Sequence, residues 1–251
     1  MRSSGIAGQL RRAVVVAKKN ILIYYIKGPV IIFGLLIPLF LFLAFMIGNR
    51  FASLPFLISG LLAMTLFFTA TAVSPVIFPW EAQARTLERL AAAPISIPAL
   101  VFGDILASFV FGAGITLVPI GIALALGMSV SHPFALALGI LIGAVCFSAL
   151  GTLLSVPPTS SPPNIMMLSS LIKFPLIFIS GIFIPIETLP AWGRTIASLS
   201  PLTYFADIAR YSLGEATTFP IIVDIAALAL FAIVFLVASM KLHERTLPGR
   251  I

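Results

Sequence analysis

The chain has 251 residues, of which 60% are hydrophobic and 9% charged, with a formal net charge of +7. A soluble domain of that composition would lack the polar surface to cover itself, and several apolar runs have the length that crosses a bilayer core. An all-α polytopic membrane protein is expected, with 1–251 as a single transmembrane domain in the lipid bilayer. The positive charge implies no nucleic-acid partner, and the single Cys146 excludes an intrachain disulfide.

Residues 1–27 carry Arg2, Arg11, Arg12, Lys18, Lys19 and Lys27, while Ile6, Leu10, Val14, Ala17, Ile21 and Tyr24 recur at helical spacing. The pattern predicts an amphipathic helix at the membrane surface. Its charged stretch is too long for a cleaved signal peptide, and no small-residue cleavage site follows the first apolar run.

Six spans are predicted, at about 30–47, 54–78, 97–126, 134–156, 165–184 and 219–240. Gly48-Asn49-Arg50 forms a turn between the first two. Between the second and third lies WEAQARTLERLAAAPISIP, residues 80–98, the one charged interior segment between long apolar runs. Read as a helix, it places Trp80, Ala84, Leu87 and Ala91 on one stripe and Glu81, Arg85 and Glu88 on another. Glu81 stands four residues before Arg85, the favourable order for a helical ion pair. Pro94 and Pro98 stop the helix. Such a helix either lies flat and joins two spans or is gripped by a soluble partner.

The loop 157–164, PPTSSPPN, is polar and proline-rich and cannot be helical throughout. Residues 185–218 are too polar for a span and too apolar for an ordinary loop. Pro190 suits the first turn of a short helix through Trp192 and Ile196 that stops before Pro201. A second helix begins after Ser200, with Asp207 and Arg210 spaced to pair. Trp192 and Tyr204 are interfacial residues by chemistry. Two short helices at the outer face would make a lid, a pore lining or a cap, with Glu187 on the surface beside them.

Eleven Lys/Arg residues fall on the side that holds both termini and 80–96, and three (Arg50, Arg194, Arg210) on the other. The positive-inside rule therefore predicts cytoplasmic termini and an external 185–218 segment.

Intramembrane charge marks functional candidates. Asp104 and Lys173 both lie roughly 10–13 Å from the cytoplasmic side by helical rise. They are placed to pair across the bundle, as a structural ion pair or as an ion relay; Lys173 alternatively snorkels to the interface. Asp224 enters from the opposite side, so no two aspartates share a depth as an aspartyl protease would need. There is no HExxH, no phosphate-binding GxxxxGK[ST], no metal-ligand spacing, and His132 and His243 lie far apart. Accordingly no catalytic, cofactor-binding or metal-ligating residue is assigned. Gly112, Gly114, Gly139 and Gly143, the last two as a GxxxG, predict close helix packing.

Three passages together resemble the permease subunit of ABC-2-type transporters, the family of drug-export and polysaccharide-export permeases. They are Thr86-Leu87-Glu88-Arg89-Leu90 with Ala93-Pro94-Ile95-Ser96; Phe178 to Pro185 with Leu189-Pro190-Ala191-Trp192; and Ser200-Pro201-Leu202-Thr203-Tyr204 with Asp207 and Arg210. The resemblance implies an export permease that forms a homodimer or heterodimer and works with a separate ABC ATPase subunit, which binds the ATP and Mg. It implies that the N-terminal helix and the 80–96 loop, with Trp80, Glu81, Arg85, Leu87, Glu88, Arg89 and Leu90, contact that ATPase. It also implies that 185–218 is an outer re-entrant segment. The loop PPTSSPPN departs from a coupling role because it carries no charge. Two other classes stay open: an ion-coupled secondary transporter using Asp104 and Lys173, for which no inverted repeat is visible, and a non-transporting membrane scaffold.

Overall fold

The computed structural model describes residues 5–48, 53–157, 159 and 161–250. Asn49 and Arg50 of the predicted turn, Pro158 and Ser160 of the proline loop, and the first four residues of the N-terminal segment lie outside the described residues.

Among the described residues, six helical segments have the length and apolarity of membrane spans, as predicted. They are Val30–Gly48, Leu54–Gln83, Ile97–Ala125, Pro133–Leu153, Pro162–Ile179 and Ile221–Gly249. The first lies in helix α2 (Gly28–Gly48). The second is broken into α3 (Leu54–Ala70) and α4 (Ser74–Gln83), and α6 (Ile97–Ala125), α7 (Pro133–Leu153), α8 (Pro162–Ile179) and α11 (Ile221–Thr246) supply the rest. Helix α1 (Ile6–Asn20) precedes them, a short α5 (Leu87–Ala92) lies on the loop, and α9 (Ala191–Ala197) and α10 (Pro201–Ser212) lie between α8 and α11.

The α3–α4 break has a local cause. Pro75 lacks an N–H, so the helical ladder cannot continue to the Thr71 carbonyl four residues earlier. At the centre, Phe67 of α3 meets Phe147 of α7 edge-on at 5.2 Å, and Phe147 meets Phe205 of α10 at 6.0 Å. The Gly139–Gly143 pair does mediate close packing, against the short α10 at both positions and against Leu66 of α3 at Gly143. A Cβ built on Gly139 would lie 2.6 Å from the Ile208 Cγ2, and one on Gly143 3.0 Å from the Phe205 ring.

Helix α1 is joined to α2 through a π-helical turn, Ile21–Tyr25. It buries Ala13, Val16, Ala17 and Asn20 and lies against α6. Gly103 permits this contact, since a Cβ there would fall 2.7 Å from the Ala13 carbonyl oxygen.

Candidate functional site

The stretch 80–96 is not the single amphipathic helix expected. Trp80 to Gln83 complete α4, and α5 starts afresh at Leu87. Between them Arg85 adopts φ 55°. The Thr86 amide donates to the Glu81 carbonyl at 2.9 Å and the Arg85 amide to the Ala82 carbonyl at 3.1 Å. These two bonds are the Schellman pattern that ends a helix, with its left-handed position held by arginine instead of the usual glycine. Helical periodicity therefore runs through a position that carries no stop signal. The turn also carries Arg85 away from Glu81, and the predicted ion pair between them does not form.

Glu81 instead turns to the N-terminal segment. It is 4% exposed. Lys19 of α1 pairs with its Oε1, the Tyr24 hydroxyl donates to the same oxygen at 2.7 Å, and the Thr86 hydroxyl donates to Oε2. Trp80 stacks on Tyr24 with 5.6 Å between ring centres. Burial, reinforced by the hydrogen bond to Glu81, pushes the Tyr24 phenol well above its ordinary pKa, so it stays a proton donor. Two more bonds join the segments farther out. Arg12 donates to the Pro94 carbonyl, and the Ser96 amide donates to the Gln9 side-chain oxygen at 3.0 Å.

Of the other loop residues, Leu87 is 1% exposed and packs with Val16, Phe78, Leu100, Val101 and Leu247. Leu90 lies partly buried against the same cluster. These two hold α5 to the protein's own interior. Arg85, Glu88 and Arg89 are exposed. On α1, Ile6, Leu10 and Val14 are exposed apolar side chains, and a cavity of about 220 Å³ opens beside Ile6, Leu10 and Pro98.

Asp104 and Lys173 are not partners. Asp104, fully buried on α6, accepts from the Asn20 side-chain amide at 3.2 Å and from the Thr152 hydroxyl of α7 at 3.0 Å. It thus ties the end of α1 to two spans. The next turn repeats the link, with the Tyr25 hydroxyl 2.5 Å from that of Ser108. Lys173 donates to the Thr71 carbonyl at 3.2 Å, the acceptor that Pro75 leaves free. Among the described residues neither charge makes an ion pair. Sequence reading missed Lys19, Asn20, Tyr24 and Thr152 as partners. Tyr24 was placed on the apolar stripe of α1, yet its partner lies 57 residues away, and no local spacing reveals it.

The sequence model described as ABC-2 type transporter matches residues 12–214. The chain belongs to that family. The inner membrane transport permease YadH of Escherichia coli K12 is 24% identical over 208 residues, covering 80% of each chain. The same figures hold for YadH of Shigella flexneri. The daunorubicin resistance ABC transporter permease protein DrrB1 of Streptomyces coeruleorubidus is 28% identical over 99 residues, 39% of this chain and 33% of that one. The chain is thus a multi-pass membrane transport permease.

In this ABC-2 permease the 185–218 segment is less superficial than expected. Pro190 precedes α9, and Trp192 on it is 71% exposed, as suits an interfacial residue. Tyr204 is only 8% exposed and donates to the Ser198 carbonyl at 2.7 Å, so its interfacial reading is corrected. Pro201 through Arg210 are all buried, with α10 packed among α3, α7 and α11. Asp207 and Arg210 do pair, at 3.8 Å. Asp207 also accepts from the Thr218 and Phe219 amides, each at 2.9 Å from Oδ2. Arg210 donates to the Gly181 carbonyl and lies 4.5 Å over the Phe56 ring. Glu187 is exposed, and its Oε1 accepts from the Thr218 hydroxyl at 2.5 Å. Asp224, at the start of α11, is buried with no hydrogen-bond partner among the described residues.

Proposed function

We propose that this chain is the membrane-spanning subunit of an ATP-driven exporter. A separate ABC ATPase binds ATP and magnesium and hydrolyses the nucleotide, and two permeases, identical or related, form the assembly. The observation that carries the reading is the union of α1 with residues 80–96. Lys19–Glu81, Arg12–Pro94 and Gln9–Ser96 bind two distant segments into one body, whose exposed charges are Arg11 and Lys18 on α1 and Arg85, Glu88 and Arg89 on the loop. The similarity to DrrB1, a daunorubicin resistance permease, supports export as the direction.

In this mechanism the ATPase subunits close on ATP and displace the cytoplasmic body. The Asn20–Asp104–Thr152 bonds pass that displacement to α6 and α7, and the bundle switches as a rigid body between two arrangements. Export requires substrate affinity to differ between them. Both termini, α1 and 80–96 face the cytoplasm, and 185–218 faces outward.

The test is co-expression with an ABC ATPase, followed by co-purification and by ATP-dependent efflux from vesicles that hold both proteins. Association together with ATP-dependent efflux is the expected result. Efflux that proceeds without any ATPase makes the chain a secondary transporter, and association without efflux makes it a scaffold.

A further inference from the structure

Helix α2 packs mainly on α3, and α8 mainly on α4. Between them lies a cavity of about 420 Å³. Its lining is apolar, with Val30 and Ile37 from α2, Phe68, Val76 and Trp80 from the second span, and Phe174 from α8. Lys173 enters this lining. One of its ammonium N–H groups goes to the Thr71 carbonyl at 3.2 Å. The other two have no acceptor, and no carboxylate pairs with the ammonium, among the described residues. The Thr71 bond holds the ammonium to the protein interior, so snorkelling to headgroups does not account for its position. A cation in apolar surroundings is disfavoured until an anion pairs with it.

We propose that this cavity binds a drug-sized anionic amphiphile, with Lys173 receiving its acid group. A carboxylate, sulfonate or phosphate head accepts the two unspent donors as charge-assisted hydrogen bonds, and an apolar body covers Phe68, Val76 and Phe174. The volume falls in the roughly 300–1,000 Å³ range of pockets that hold drug-sized ligands. The proposal rests on the permease reading above and deepens it by naming a substrate class.

The test uses the full chain in phosphatidylcholine nanodiscs with no ATPase present. It is titrated with dansyl-undecanoic acid and with the methyl ester of that acid. The acid is expected to bind about tenfold tighter than the ester or better, the ratio given by one charge-assisted contact. Lys173→Arg keeps this preference. Lys173→Gln, which removes the charge and keeps a polar N–H donor, abolishes it. Ser170→Phe, which fills the cavity from α8 and leaves Lys173 in place, weakens both ligands. Equal affinity for acid and ester, or a preference that survives Lys173→Gln, overturns the proposal. Full displacement of the acid by phosphatidylglycerol at low mole fraction also overturns it, because the occupant is then a bilayer lipid. High-yield crosslinking of a Ser170→Cys chain to a second copy does the same, because dimerisation then closes the cavity. Binding is read here without ATP, so failure of this assay leaves the efflux test untouched, and failure of efflux leaves the binding result standing.

Discussion

Lys19 and Glu81, separated by 62 residues of chain, form an ion pair that is 27% exposed on the lysine side and 5% on the glutamate side. The pair sits where the N-terminal helix, the end of the second span and the turn after it converge. Its low exposure places it above ordinary surface pairs, which are worth about 0–1 kcal/mol. A double-mutant cycle with Lys19→Met and Glu81→Gln should give a coupling of about 1–3 kcal/mol in thermal or denaturant unfolding, the range for hydrogen bonds to charged groups. Additive effects would detach α1 from the turn.

Leu87 belongs to the interior. Its side chain packs against Phe78, Leu100 and Val101, so Leu87→Ala should cost about 2–5 kcal/mol, as for a buried leucine. Leu87→Asp should cost more and reduce the amount of folded, membrane-inserted protein. Folded yield by size-exclusion chromatography checks this. Undiminished yield and stability in Leu87→Asp would show that the side chain is free to face a partner.

Arg85 occupies the left-handed position of a helix end at φ 55°. Any L-residue other than glycine is strained there by about 1–2 kcal/mol. Arg85→Gly should therefore keep or raise the melting temperature, with part of the gain offset by the freedom glycine adds to the unfolded chain. Arg85→Val, branched at Cβ, should lower it. A melting temperature that falls for Arg85→Gly would point to contacts of the arginine side chain itself.

The six spans were legible because an apolar run of bilayer length leaves the backbone few choices but a helix. The two short helices α9 and α10 were legible from Pro190 and Pro201. The depth of α10 was not. Its pattern is amphipathic, which ordinarily marks one wet face. Here the polar side chains Thr203, Asp207 and Arg210 find partners inside the bundle, in the Ala197 carbonyl, in the Thr218 and Phe219 amides, and in the Gly181 carbonyl. The join between α1 and residues 80–96 escaped the sequence reading for a related reason. Glu81 has Arg85 at the favourable helical spacing, yet Lys19 is its partner, and a spacing rule reaches four residues along the chain. Asp104 is buried and Lys173 half-buried. Their partners, Asn20 and Thr152 in one case and a proline-freed carbonyl in the other, are neutral groups that charge pairing does not find.

The central claim is that the exposed charges of the α1–loop body meet an ATPase. Glu88 and Arg89 are exposed on α5, so reversing both should leave the permease folded and inserted. The decisive measurement is the affinity of an ABC ATPase for the Glu88→Arg, Arg89→Glu permease, at matched expression and alongside ATP-dependent efflux. Charge misplaced in a fitted interface costs about 2 kcal/mol or more, roughly a thirtyfold loss of affinity. The account predicts that loss, with efflux abolished and the melting temperature unchanged. Wild-type affinity and full efflux in the double reversal would contradict it and reduce residues 80–96 to a connector between spans.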